Sequence, residues 1–578
     1  MKLRNRVRWG CSVVVAVVLL VISGCTHSSN VPPGNMASSS IAPASAGTAA
    51  SSVAIPPPSA VGLAPATPAA TSTSAPAAVS GNVGTLSAAG QSVIDKPEYA
   101  GARWTYQVSD MDTGKVLLSK EPRQLVFTAS TGKFFTVGSL FANLGPTDTL
   151  KTPVYTTGHK TGKTLDGNVV LVASGDIALG GRGAMQGRMD QSFSAATIDH
   201  VYGDVAPTGS LTPDDPLAGL NSLARQVKAT GITTVNGDVL IDDRLWEPFA
   251  SQEGPVPAIF VNDNIFDISV TGGNVGGVAT ITERPTTHAF QVRSKVVTGA
   301  ANSTGRLEVE ADPADSRRLT VSGSIPAGKS QLTIYRIPDA STWARTLFIE
   351  ALQRAGISVK ANPLRDNNSA SLPKKGSYSA GDKVASLTSP SLATMSDMIM
   401  QTSYNRGANA MMCLLAVKVG STNCLDGLKL MHQTASKAGL SPADTLLFDG
   451  QGADPESSTP AEMVKYLTWA KTQSWGQDLE GGLPIFGVSG SLASVGITSP
   501  AKGEILAKTG TSGHLDRVTG RLLIQTYAYA GYMTTATGRK LVFDVSLNAA
   551  TFPDLDAALI GSGHDLADVA EAIWTQFS

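Results

Sequence analysis

The sequence predicts an α/β fold of the α+β sandwich kind: an antiparallel sheet flanked by helices and interrupted by a large β-rich insertion of one or two domains. Three observations predict it. A β-hairpin pattern runs directly into a helical pattern near residue 130, short β-rich runs with many glycines fill 153–380, and helical patterns return after Ser389 before two closing strands and a last helix. The hairpin is read from Trp104, Tyr106 and Val108, which alternate, from the turn Asp112-Thr113-Gly114, and from Val116 and Leu118, which alternate back. In the next segment Phe134, Val137, Leu140 and Phe141 make one apolar helical stripe, with Gly145 beyond its end.

Ahead of the hairpin, the first eight residues carry Lys2, Arg4, Arg6 and Arg8, followed by an apolar run from Ser12 to Ile22. This has the form of a secretion signal, too short and wrongly flanked for a stable membrane span. Its ending, Val21-Ile22-Ser23-Gly24-Cys25, resembles the lipobox of bacterial lipoproteins and implies a signal over 1–24 and acylation of Cys25. An ordinary secretory signal cleaved nearby is the alternative. No Asp, Glu, Lys or Arg occurs between Arg8 and Asp95, and from Thr26 to about Ser92 the composition is mainly Ala, Ser, Pro, Thr and Gly. Such a segment cannot bury enough apolar surface to offset its chain entropy, so 25–95 is expected to be a disordered tether.

The 578 residues carry 45 basic and 46 acidic side chains, a net charge of −1, which excludes the electrostatic footprint of a nucleic-acid binder. Within the insertion, Leu220–Val235 and Trp343–Val359 repeat one theme, a helix ending in Gly-Ile and then a strand. Cys413 and Cys424 fall in helical patterns joined by a turn near Gly420, and an oxidising compartment would allow a disulfide; two buried thiols are the alternative. Four cysteines without C-x-x-C, and no H-E-x-x-H, argue against a metal site or metal cofactor.

Three short motifs carry chemistry. Ser130-Thr131-Gly132-Lys133 puts a hydroxyl and an amine on one face of a helix start, with Cβ atoms about 5–6 Å apart. Unpaired N–H groups at such a start can stabilise an oxyanion. A capping serine with a surface lysine would look the same. Ser403-Tyr404-Asn405 interrupts an apolar helical series; Ser403 and Asn405 can face one cleft, or simply break the helix. Lys508-Thr509-Gly510 ends a strand pattern and suits anion binding, with Lys508 supplying charge, Thr509 a hydrogen bond and Gly510 close backbone approach.

In this order the motifs resemble the signature of the penicillin-interacting serine acyl-transferases, S-x-x-K, S-x-N and K-T-G. The 273 positions between Ser130 and Ser403 exceed what that fold's helical subdomain needs, and so resemble the low-molecular-mass class C penicillin-binding proteins, the DacB-type D-alanyl-D-alanine carboxypeptidase/endopeptidases. Leu171-Val172-Ala173-Ser174-Gly175-Asp176, Gly237 to Asp243, Phe448-Asp449-Gly450-Gln451-Gly452 and Leu483 to Gly487 extend the similarity. The resemblance implies a β-lactamase/transpeptidase-like catalytic domain over 96–152 and 381–578, with 153–380 inserted. It implies acyl-enzyme chemistry on peptidoglycan stem peptides, acylation by β-lactams, no cofactor, and an envelope location held to a membrane through the lipid on Cys25.

By the same resemblance, Ser130 is the nucleophile, Lys133 its base and Ser403 a proton relay. Asn405, Lys508 and Thr509 bind substrate, and the N–H groups of Ser130 and Thr511 form an oxyanion hole. Lys508 is also expected to lower the Lys133 pKa. One departure stands out: Ser512 to Tyr527 adds about ten residues beside the site, which should lengthen a hairpin there. The rival readings are an inactive penicillin-binding lipoprotein that holds peptidoglycan or an envelope partner, and a β-lactamase.

Overall fold

The computed structural model describes residues 81–180, 182–185, 188–189, 193–554 and 557–578. The expected signal over 1–24, Cys25 and most of the expected tether lie outside these residues. The principal sheet has five antiparallel strands in the order Val116–Lys120, Arg103–Asp110, Lys540–Phe552, Leu522–Thr534, Ile505–Leu515. First and last parts of the chain therefore meet in one sheet, with Trp104 opposite Leu547 and Val108 opposite Phe543.

Strand alternation sorts the two faces of this sheet. Trp104, Tyr106, Val108, Phe543 and Val545 point into a core shared with Leu566 and Ile573 of the closing helix Ser562–Phe577. Val542, Ala530 and Tyr532 face the other way, toward Phe134, Val137, Leu140 and Phe141 of helix Lys133–Asn143 and Tyr466 of helix Pro460–Lys471. All four stripe residues of the first of these helices are buried, each contributing about 1.5–3 kcal/mol. The result is a helix–sheet–helix sandwich.

Described structure begins before residue 96, inside the segment expected to be tether. Residues 88–94 form a helix, Ala88–Ile94, whose Val93 and Ile94 lie in the core beside the closing helix. Just after it, Lys96 and Tyr99 both bond Asp565 of that closing helix, at 2.5 and 2.7 Å. Its few apolar residues suffice because the groove that receives them is supplied by the far end of the chain.

The insertion leaves and returns through one antiparallel strand pair, Thr149–Thr156 with Lys383–Ser391, so its limits lie slightly outside 153–380. Adjacent entry and exit let a long segment be inserted without disturbing its host. The two repeated units sit together: helices Ala218–Ala229 and Ala340–Arg354 pack on each other, and the strands that follow pair in parallel, Thr234 with Ser358. A second portion is β-rich, as expected, built on Ile265–Thr271 between Thr280–Arg284 and Ser330–Arg336. One apolar core runs from helix Lys133–Asn143 through the insertion.

Helices Leu392–Gln401 and Asn405–Lys418 flank Ser403-Tyr404. Cys413 on the second bonds Cys424 just past the turn at Gly420, closing a loop of 11-residue separation. Replacing either cysteine with serine should lower stability by about 2–3 kcal/mol through lost loop-closure constraint. Calorimetry with and without reductant reads this; an unchanged midpoint in both would show that the bond does not operate in the native protein.

Candidate active site

Ser130 lies in a single 3-10 turn, Ala129–Gly132, that feeds helix Lys133–Asn143. The preceding Ala129 has φ 44°, an uncommon conformation for a residue with a Cβ and a mark of local strain. Gly510 explains how the edge strand reaches this turn: a Cβ there would come within 2.7 Å of Thr128 O and 3.0 Å of Thr131 N. Only a glycine lets strand Ile505–Leu515 press against the serine turn.

Lys133 is fully buried. Its Nζ lies 2.8 Å from Ser130 Oγ and donates to Asn405 Oδ1 at 2.7 Å and to the Gln451 carbonyl at 2.9 Å. Burial lowers its pKa to about 7, against the upward pull of the Asp449, Glu253 and Glu456 carboxylates. The geometry suits the neutral amine: two N–H groups serve the two carbonyls, and the lone pair is left for the Ser130 proton. Water exclusion is the leading cause of Lys133 neutrality, ahead of the Lys508 charge expected to contribute to it. Lys508 is itself fully buried, donates to Thr509 O at 2.8 Å, and is held well below the usual lysine range by burial first and the like charge of Lys133 second.

The structure brings the second and third motifs to the first through Asn405, bonded to Lys133, and Gly510, packed on the Ser130 turn; the cleft at Ser130 is lined by Asn405 and Thr511 and not by Ser403, Lys508 or Thr509. Ser403 has φ 60°, and its buried hydroxyl has no partner among the described residues. Asn405 is engaged at both ends, its Oδ1 by Lys133 and its Nδ2 donating to Glu253 Oε1 at 2.6 Å. Its amide, expected to face substrate, here orients the lysine. Thr509 Oγ1 bonds Ser491 Oγ at 2.7 Å.

On the edge strand, Ile505 O accepts from Phe486 N and Ala507 N donates to Pro484 O, so odd-numbered residues turn their backbone groups away from the neighbouring strand. The same alternation aims the Thr511 N–H at the open edge. Ser130, Thr511 and Asn405 line one cleft there, the placement an oxyanion hole at Ser130 and Thr511 requires. Strands Ile505–Leu515 and Leu522–Thr534 pair as a hairpin whose turn falls within Ser512 to Tyr527, and Ser512 also lines the cleft.

Two contributors were not assigned to the site from sequence. Phe448 to Gly452 forms the wall of the lysine cage: Asp449 Oδ1 accepts from Gln451 N, Gly452 N and Ala453 N, and Thr136 Oγ1 holds Gly450 O at 2.7 Å. Its Asp-Gly-x-Gly string was a usable turn signal. Gln252 and Glu253, at the tip of the insertion's hairpin Phe249–Ser251 with Gly254–Val256, reach the same cleft. No local pattern marks them, because their place comes from how the insertion folds back.

The chain matches the family described as D-Ala-D-Ala carboxypeptidase 3 (S13) over residues 86–560. It is 25% identical over 459 residues to the D-alanyl-D-alanine carboxypeptidase of Actinomadura sp. strain R39, covering 74% of this chain and 76% of that one. It is 21% identical over 479 residues to the D-alanyl-D-alanine carboxypeptidase DacB of Haemophilus influenzae, covering 79% and 88%. The crystal structure of penicillin binding protein 4 (DacB) from H. influenzae shares the fold, with a TM-score of 0.62 at 19% identity over 84% of this chain and 99% of that one. With Ser130, Lys133 and the edge strand assembled as described, the chain belongs to the D-Ala-D-Ala carboxypeptidase 3 (S13) family, a DacB-type serine peptidase on the β-lactamase/transpeptidase-like fold.

Proposed function

We propose that the protein cleaves the terminal D-Ala-D-Ala bond of peptidoglycan stem peptides, and the equivalent bond of cross-linked dimers, through an acyl-enzyme at Ser130. The observation that carries this is the Lys133 cage: a buried amine with a pKa of about 7, 2.8 Å from the serine oxygen. Ser130 Oγ attacks the scissile carbonyl while Lys133 takes its proton. The carbonyl oxygen becomes an oxyanion between the Ser130 and Thr511 N–H groups, each worth about 3–4 kcal/mol. Ser403 passes a proton to the leaving D-alanine amine, and water then hydrolyses the ester. The Thr509 hydroxyl and the amine N–H groups of Lys508 hydrogen-bond the substrate carboxylate, Lys508 as a buried, largely neutral donor rather than as the expected charge. A penicillin presents a strained amide beside a carboxylate and acylates the same oxygen.

An inactive binder has no use for a lysine buried at this expense, which favours the enzyme. Acylation of Cys25 would hold the catalytic part outside the cytoplasmic membrane, and a tether gives it reach toward a polymeric substrate.

Purified protein given a muropeptide pentapeptide should release D-alanine, and given a cross-linked dimer should release monomers; Ser130→Ala should do neither and should take up no labelled penicillin. Penicillin uptake without either release would favour the binder, and rapid nitrocefin turnover would favour a β-lactamase. Lys133 is the base only when neutral, so the second-order acylation constant should rise about tenfold per pH unit up to about pH 7 and then level off. A flat profile from about pH 5 to 9 would contradict its role. Cys25→Ser should move the protein from the membrane to the soluble fraction, and retention in the membrane would argue against the lipid anchor.

A further inference from the structure

The left-handed φ of Ser403 crowds the Cβ of any residue that has one, and nothing in Ser403-Tyr404-Asn405 itself selects it. The hydroxyl of Ser403 does not hold it there, being without a partner among the described residues. The backbone is held from the insertion instead. The Tyr202 phenol, buried, donates to the Ser403 carbonyl oxygen at 2.8 Å. Burial and the carboxylates of Glu253 and Asp199 keep that phenol protonated, so it remains a donor.

Tyr202 is rigidly mounted. It closes one 3-10 turn, His200–Tyr202, whose cap Asp199 accepts from Val201 N at 3.1 Å. Arg182 grips Asp199 with two bonds, at 2.8 and 2.7 Å, and reaches Asp263 at 3.1 Å. His200 is clamped between Asp267 at 2.8 Å and Asp263 at 2.9 Å. From the other side Arg336 donates to Val201 O at 2.9 Å while bonding Asp204. Buried charges arranged like this add little net stability over apolar packing, but they allow one arrangement only. Such a mount suits a group whose position matters more than its contact area.

We propose that Tyr202 is a positioning residue for the reaction: its hydrogen bond to the Ser403 carbonyl holds Ser403 in the left-handed conformation from which the hydroxyl relays the proton, and the buried Arg182–Asp199–Asp263–His200–Asp267 cluster is its mount. This rests on the relay role of Ser403 given above. Through Tyr202 the insertion takes part in the chemistry, acting on a residue 201 positions away in sequence.

Acylation of the whole protein by a fluorescent penicillin tests this, with amplitude counting folded sites and the rate constant reporting their geometry. Tyr202→Phe should keep its amplitude and slow acylation by about 10- to 100-fold. Ser403→Ala should be slowed at least as much, and the double variant should be no slower than Ser403→Ala within about a factor of two. A normal rate in Tyr202→Phe beside a slow Ser403→Ala overturns the positioning role alone. An equal further loss on top of Ser403→Ala, or lost amplitude at an unchanged rate, also overturns it. Full speed in Ser403→Ala overturns the relay reading beneath it, and the proposal falls with that reading.

Discussion

Everything at the cleft depends on keeping water away from one amine. Lowering Lys133 from 10.5 to about 7 corresponds to about 5 kcal/mol of preference for its neutral form. Because the folded value lies below the unfolded one, the unfolded chain binds the extra proton between these values. The site therefore lowers stability in full below about pH 7, and the penalty disappears as pH rises toward about 10.5. The rest of the fold must supply that stability elsewhere, and the two apolar cores on either face of the sheet do so.

The cage is assembled from parts distant in sequence. The serine turn gives Ser130, the first residue of helix Asn405–Lys418 gives Asn405, the Phe448–Gly452 turn gives a carbonyl, and the insertion gives the carboxylate that fixes Asn405. Glu253 bonds Asn405, Asn405 bonds Lys133, and Arg406 donates to the Glu253 carbonyl at 2.8 Å. The insertion is thus continuous with the site in polar contacts as well as in its core. A shift of the hairpin tip would be felt at the lysine through two hydrogen bonds.

Most residues of the candidate site are legible in the sequence because their chemistry is local: hydroxyl and amine one helical turn apart, a hydroxyl-amide pair at a helix break, a lysine-hydroxyl-glycine run on a strand. The hairpin, the strands and the repeated Gly-Ile units followed from periodicity and turn residues. Errors arose where a partner was distant. Residues 88–94 read as tether because their composition is poor, yet they fold against a helix from the last sixteen residues before Ser578. The Lys508 charge expected to lower the Lys133 pKa can be read from a sequence, whereas the exclusion of water that does most of it is a property of packing.

Sequence alone determined which chemistry-bearing groups stand at the candidate site, their order, and the presence of a large segment between the first and second, since side-chain chemistry and spacing are written along the chain. Tertiary structure alone decided that Lys133 is sealed with its pKa lowered to about 7, that Asn405 is tied to Glu253, and that a left-handed Ser403 has its carbonyl bonded by Tyr202. Burial, field and backbone strain depend on atoms that meet only after folding. No pattern in either segment alone can state them.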